Sequence, residues 1–279
     1  YPPERVIGSL GGASTLGLLI PPSIVMIVYG VAAEVSIAKL FVAGVIPGLL
    51  LAGLFSGYLM VWALMNPEEI PKADEGMSFV EKLRASSELI PVILLIGGVI
   101  GSIYVGIATA TEAAAIGVVG ALLLSAYQRS LNWQSFRDAL LGATRLYCMM
   151  ALILAGAAFL TLAMGYIGLP RQLAEWVGSL GLSPGLLLLA LALFYILLGC
   201  FLDGISMIVL TMGVIVPTVQ AAGIDLIWFG IFIVIVVEMA QITPPVGFNL
   251  FVLQGMTGKQ LPWIARVSLP MFGLMVLAV

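Results

Sequence analysis

Nine apolar runs follow one another almost without interruption, at 6–30, 40–65, 89–107, 112–127, 143–165, 183–202, 204–222, 226–257 and 263–279. Runs of about 20 residues match the hydrocarbon thickness of a bilayer when they are helical. Inside lipid no water satisfies a backbone N–H or C=O, so a chain of this kind is confined to helices whose hydrogen bonds close within each segment. Composition agrees, with 62 % of residues hydrophobic and 9 % charged, where a soluble domain is about 45–50 % apolar. The expected fold class is an all-α polytopic membrane protein whose partner is the lipid bilayer. Nothing forms a basic stripe, which argues against nucleic acid as a partner. Histidine is absent, so a His-based zinc site and a Ser-His-Asp triad are excluded. Without a nucleophile-plus-base pair or a metal-ligand cluster, the chain does not read as an enzyme and calls for no organic cofactor. Cys148 and Cys200 lie in apolar runs and read as small buried hydrophobes. The first residue is Tyr1, with neither an initiator methionine nor a signal peptide, so a longer protein is expected.

Charge sets direction. The stretch 66–88 is the longest polar segment and carries Lys72, Lys82 and Arg84, which places it in the cytoplasm by the positive-inside rule. Spans 89–107 and 112–127 then go out and back, returning Arg129, Arg137 and Arg145 to the same side. Segment 6–30 runs outward from Arg5, and 226–257 runs inward to Lys259 and Arg266, with Lys39 and Arg171 as exceptions to the bias. "DG" at 203–204 makes a tight turn in apolar sequence, so 183–222 is either two spans or one re-entrant hairpin.

"EMAQITPPVGFN" (238–249) sets two prolines in the middle of an apolar stretch. "STLGLLIPPSIVMIVYG" (14–30) overlies "VEMAQITPPVGFNLFVL" (237–253), so that Pro21-Pro22 meets Pro244-Pro245 and Pro47 meets Pro270, all at an offset of 223. The two copies run in opposite directions across the membrane, which makes the repeat inverted. Inverted repeats with interrupted helices characterise secondary transporters, whose sites lie between the halves. A proline lacks an N–H and clashes with the preceding turn, so a pair leaves carbonyls without helical partners. In lipid these cost several kcal/mol each unless protein or a polar cavity satisfies them, and a hard cation is one such partner. A broken helix also offers a positive dipole end to an anion.

Four ordered motifs, "GASTLGLLIPPSIVMIVYG", "GIATATEAAAIG", "LGCFLDGISMIVLTMGVIVPTVQAAGID" and "ITPPVGFNLFVLQGMTG", resemble the large membrane subunit of TRAP (tripartite ATP-independent periplasmic) transporters along nearly the whole chain. The resemblance implies an elevator-type fold with an inverted repeat, broken helices and a re-entrant hairpin in the bacterial inner membrane. It implies Na⁺ as coupling ion, a small carboxylate as substrate, and two partners: a small membrane subunit and a periplasmic substrate-binding protein. By the same resemblance one sodium site uses oxygens of Gly199, Ala240, Thr243 and Val246, with Ala240 where relatives usually have glycine. By repeat symmetry the other uses Gly17, Ile20 and Ser23 with Ser14 or Thr15. A first hairpin is expected upstream of Tyr1. The implied division is 1–39 as the first broken helix, 40–88 as a scaffold helix and cytoplasmic linker, 89–182 as scaffold helices with amphipathic connectors, 183–258 as the second hairpin and broken helix, and 259–279 as a C-terminal scaffold helix.

Asp203, Ser206 and Asn249 are substrate candidates. An ionisable residue among apolar runs is a functional candidate by default, although Asp203 reads equally as a helix cap, and Asn249 as a bridge between helices. Glu238, one turn before the break, reads as helix packing or cavity lining, with proton transfer as the alternative. Thr111 and Glu112 read as a helix start with Thr111 as cap. "WQSFRDALLGATR" reads as an amphipathic interfacial helix, and the thirteen methionines as core filler. A related carrier that needs no binding protein, and an ion channel or membrane scaffold, remain as alternative readings.

Overall fold

A computed structural model describes residues 1–70, 78, 81, 86–245 and 247–279; Lys72, Lys82, Arg84 and Val246 lie outside these. Among the described residues the regular structure is helical: α1 (Pro3–Leu19), α2 (Ile24–Ala32), α3 (Ile37–Met65), α4 (Ile90–Tyr104), α5 (Ala110–Tyr127), α6 (Trp133–Ile167), α7 (Leu169–Ser179), α8 (Pro184–Leu198), α9 (Gly204–Ala221), α10 (Leu226–Gln241), α11 (Phe248–Thr257) and α12 (Leu261–Ala278). Five of them, α3, α5, α6, α9 and α12, are long and apolar enough to cross a membrane, and α1 with α2 makes a further span bent by 45°. The chain is thus an all-α polytopic membrane protein.

Short polar side chains start the helices. Ser23, Ser36, Ser183, Asp203 and Asp225 each accept a backbone N–H at the head of the helix that follows, satisfying donors that have no intrahelical partner. The cap of α5 is Thr109 rather than Thr111: its hydroxyl accepts from Glu112 N, and the Glu112 carboxylate accepts from Thr109 N at 2.8 Å. This reciprocal pair needs the acidic residue three positions after the cap, which Thr109 satisfies and Thr111 does not. "WQSFRDALLGATR" is likewise not a separate interfacial helix but the first part of the 35-residue α6. No proline interrupts 133–167, so nothing breaks the hydrogen-bond ladder between the amphipathic and the apolar part. Cys148, on this helix, is exposed, whereas Cys200 is buried.

The chain divides into two compact units, residues 71–152 and residues 1–70 with 153–279. In the first, α4 and α5 pack antiparallel. Val99 meets Gly117 and Leu95 meets Gly120, and the missing side chains let the two helices close on each other.

In the second unit, α1 lies against α12 through Gly8, Gly11 and Gly12, which face Val267, Ser268 and Met271 in ascending order, so the two helices are parallel. A Cβ at Gly8 would run into the Val267 carbonyl oxygen, and one at Gly12 would stand 2.7 Å from Met271 Cγ. α3 runs antiparallel to α1. At one end the Arg5 guanidinium donates to the Tyr58 hydroxyl at 2.6 Å and lies 5.0 Å from the Trp62 ring centroid. At the other, Gly44 and Gly48 receive Leu19 and Ile20. α10 begins where α2 and α12 end: the Tyr29 hydroxyl donates to Leu226 O at 2.7 Å, and Asp225 and Trp228 share a cavity with Ala278 and Val279. α10 is therefore antiparallel to α12, and so to α1.

These directions make the repeat inverted, and its boundaries hold in detail. Adding 223 to the bounds of α1 and α2 gives 226–242 and 247–255, beside the observed α10 at Leu226–Gln241 and α11 at Phe248–Thr257. Pro47 and Pro270 both sit inside their helices, α3 and α12. Both Pro-Pro bonds are cis. α3 and α12 pack against the broken helices.

α8 and α9 both pack along α10, and the turn at 199–203 between them reaches its C-terminal end. Gly199 lies on Ala240, Gly204 lies on Val237 and Gln241, and the Tyr195 and Thr211 hydroxyls bond between the arms. Because α9 returns to the start of α10 through residues 222–225, the pair enters and leaves on one side. The pair is a helical hairpin whose tip reaches the second break.

Two packing predictions follow from these glycines. Gly8→Val, which sets a side chain against a backbone oxygen, lowers stability by roughly 1–3 kcal/mol, whereas Gly53→Ala, where a Cβ meets nothing within 4 Å, does not lower it; thermal unfolding in detergent compares them. Gly199→Ala is destabilising, and Ala240→Gly in the same chain recovers part of the loss, giving a coupling of about 0.5–3 kcal/mol in a double-mutant cycle.

Candidate functional site

The second break follows from the loss of donors at Pro244 and Pro245. α10 ends at Gln241, and the last turn closes on itself: Ile242 N donates to Met239 O at 3.3 Å, Thr243 N to Ala240 O at 3.1 Å, and the Thr243 hydroxyl to Met239 O at 2.7 Å. The chain then turns through Gly247, whose φ of +38° lies in the region that side chains avoid. A Cβ there would sit 2.8 Å from Gln241 O and 2.9 Å from Thr243 O. Two peptide oxygens thus converge on the one residue with no side chain. α11 starts immediately after, with no side-chain cap on its first N–H groups, so the positive end of a helix opens on the break.

The hairpin tip covers this region. Of the residues expected around one cation, Gly199, Ala240 and Thr243 come together here, Gly199 against Ala240 and Thr243 one turn on. Val246 falls outside the described residues. Cys200, unremarkable in the sequence, donates its thiol to Pro244 O at 3.2 Å and ties the tip to the proline pair. Gln241 and Gly247 were also missed as contributors. The signal for Gly247 was its place directly after "PPV", where a chain resuming a helix needs an unusual φ.

The first break is built differently. Ser23 is fully buried, caps α2 by accepting from Met26 N at 3.2 Å, and donates to the Leu18 carbonyl. Ile20 ends α1 with its N–H on Leu16 O at 2.8 Å. Ser14, Gly17 and Ile20 lie on the exposed stripe of α1, and a Cβ at Gly17 would meet nothing within 4 Å. Thr15 points the other way and is fully buried. Ser14 rather than Thr15 therefore shares the open face with Gly17. Gly17 matches Ala240 in the repeat, yet Ala240 is covered by Gly199 while Gly17 has no such cover among the described residues.

Of the substrate candidates, Asp203 caps α9, accepting from Ile205 N and Ser206 N at 3.1 and 3.2 Å and from the Ser206 hydroxyl at 2.5 Å. The two residues thus form one capping unit at the hairpin tip. Asn249 stands in the first turn of α11, and its buried Nδ2 holds no hydrogen bond among the described residues. No group of three His, Cys, Asp or Glu side chains comes together among the described residues, so any cation held here would rest on peptide and hydroxyl oxygens, the hard ligands suited to Na⁺.

Comparison with known proteins identifies the family of the chain. The family model described as "Tripartite ATP-independent periplasmic transporter, DctM component" matches residues 1–279. The C4-dicarboxylate TRAP transporter large permease protein DctM of Pseudomonas aeruginosa is 36 % identical over 271 residues, covering 97 % of this chain and 63 % of that protein. The ectoine/5-hydroxyectoine TRAP transporter large permease protein UehC of Ruegeria pomeroyi is 34 % identical over 289 residues, covering 100 % and 64 %. The isethionate TRAP transporter permease protein DctMQ of Oleidesulfovibrio alaskensis is 30 % identical, with 95 % and 42 % covered. The chain thus spans 63 % of the length of the first of these relatives. It belongs to the DctM family of TRAP transporter large permease components, multi-pass proteins of the bacterial inner membrane.

Proposed function

We propose that this chain is the ion- and substrate-carrying part of a secondary transporter in which inward Na⁺ flow drives uptake of a small organic acid. The observation that carries this reading is the convergence of the Gln241 and Thr243 carbonyls at Gly247 beneath a hairpin tip, in a helix with an antiparallel copy across the unit. Oxygens of Gly199, Ala240 and Thr243, with Val246 as a further member, hold one Na⁺; Ser14, Gly17, Ile20 and Ser23 contribute to a second. The open face at Gly17 is where a first hairpin docks in the complete protein.

The substrate class rests on the relatives. Three of them, 32–36 % identical, are named for C4-dicarboxylates, and an uncapped helix start suits a carboxylate. Asn249 donates to it from the first turn of α11, with Asp203 and Ser206 holding the hairpin tip in place beside it. A periplasmic binding protein delivers the substrate, and a small membrane subunit supports the permease. The packed body of broken helices and hairpin moves as an elevator across the bilayer.

Two measurements on the complete transporter in proteoliposomes test this. Thr243→Ala removes one oxygen and raises the Na⁺ concentration for half-maximal uptake about tenfold, the equivalent of ~1.4 kcal/mol; unchanged Na⁺ activation strikes Thr243 from the site. Pro244→Ala returns an N–H to the chain and lets α10 extend through the break, so uptake falls further than the yield of folded protein. Equal falls in both would make the break structural.

A further inference from the structure

The parallel helices α1 and α12 begin at the same end, and a cavity of 340 Å³ between their first turns is lined by Glu4, Arg5, Trp263 and Arg266, with Pro270 at its far wall. The inverted repeat builds the same cavity twice. At the offset of 223, Glu4 and Arg5 match Ile227 and Trp228, while Arg266 and Pro270 match Ala43 and Pro47, and these four counterparts line one cavity between α3 and α10. The geometry is shared and the charge is not: one copy has Trp228 and Ala43 where the other has two arginines. Helix starts differ in the same sense. α10 and α3 are capped by Asp225 and Ser36, whereas α1 and α12 begin without a side-chain cap, so two positive helix ends meet at the charged cavity.

Lys259 adds to this charge. It lines an adjoining cavity with Glu4 and Trp263, and its ammonium lies 5.7 Å from the Trp263 ring centroid. Lys259 and Arg266 are exposed, and among the described residues neither pairs with a carboxylate. Glu4 is the acidic group against these three cations; Glu68 and Glu69, just beyond α3, line none of the cavities here. On its other side Arg5 borders a 440 Å³ groove between α1 and α3, walled by Val6, Leu10, Leu59, Met60 and Trp62. Charged heads above an apolar groove, flanked by tryptophans, match the chemistry of the membrane–water interface. Positive-inside bias puts this end in the cytoplasm, where the leaflet carries anionic lipid. The site is remote from the breaks, since the helix from Arg5 to Ile20 is roughly 22 Å long at 1.5 Å per residue. The hairpin arms α8 and α9 line no part of the α3–α10 cavity, so a hairpin docked equivalently on the first break would leave the charged cavity open as well.

We propose that the cavity between α1 and α12 binds the phosphate of an anionic phospholipid, whose acyl chain lies along the groove between α1 and α3. Arg266 and Lys259 hold the headgroup from α12 and its approach, and Arg5, fixed by its bond to the Tyr58 hydroxyl and its place over Trp62, separates headgroup from chain. The lipid supplies the negative charge that the two uncapped helix starts lack. The inference is independent of Na⁺ coupling and of the substrate.

Native mass spectrometry of the complete permease in detergent, titrated with phosphatidylglycerol or with phosphatidylcholine of the same acyl chains, tests this. The wild-type protein retains phosphatidylglycerol in preference, and the double variant Lys259→Gln, Arg266→Gln retains one fewer, its affinity at that step lowered about tenfold or more. Glu4→Gln acts in the opposite direction and raises retention severalfold, a change that damaged packing does not imitate. Equal retention of the two lipids, or equal loading of wild type and double variant, would overturn the proposal. So would release of the lipid by excess inorganic phosphate, which would make the cavity a site for a soluble anion. Should the double variant fail to fold, Glu4→Gln decides alone, and unchanged retention there counts against the lipid.

Discussion

A proline pair in the middle of an apolar helix takes away two backbone donors where water cannot replace them, and the second unit of this protein is arranged around that loss. At the second break carbonyls are met locally by the Thr243 hydroxyl, by turn hydrogen bonds and by the Cys200 thiol on Pro244 O, while those of Gln241 and Thr243 turn inward at Gly247. At the first, the Ser23 hydroxyl bonds Leu18 O and caps α2. In lipid an unmet peptide group costs several kcal/mol. Such breaks persist only inside packed protein, which is why α10 is buried along most of its length.

Close packing of backbones supplies that protein. Gly8, Gly11 and Gly12 bring α1 onto α12, Gly44 and Gly48 bring α3 onto the first break, and Gly230 admits Tyr29 and Leu40 against α10. In hydrocarbon, apolar side chains gain little by leaving lipid for one another, so close van der Waals contact at small residues does much of the work of association. The result is a body in which one broken helix is held by the third helix of the opposite repeat. Symmetry is obeyed in helix boundaries and broken in chemistry. Ser23 caps α2 while Gly247 leaves α11 uncapped, and Ala240 is covered by Gly199 while Gly17 is bare among the described residues.

Much of the fold could be read from residues alone, because its determinants are local. Apolar runs and Ser, Thr and Asp caps mark helices, and the proline pairs mark the breaks. The errors were also local in origin. Residue type points to Thr111 as a cap, whereas Thr109 has the acidic residue three places on, and the amphipathic and apolar parts of α6 differ in composition though not in backbone continuity. The site was less legible. Gly199, Ala240 and Thr243 entered by family likeness, whereas the roles of Gln241, Gly247 and Cys200 arise from peptide oxygens, and a peptide oxygen has no residue type to betray it.

The sequence by itself determined that the chain is a helical membrane protein, that two proline-split helices repeat at an offset of 223, and, through the distribution of Lys and Arg, that the copies oppose one another. Each follows from hydrogen-bond satisfaction and charge along the chain. Tertiary structure alone decided that the hairpin tip lies on the second break, and that Ser14 faces outward and Thr15 inward. These are contacts between segments far apart in sequence, set by how closely glycine-lined helices approach, and hydropathy carries no record of that distance.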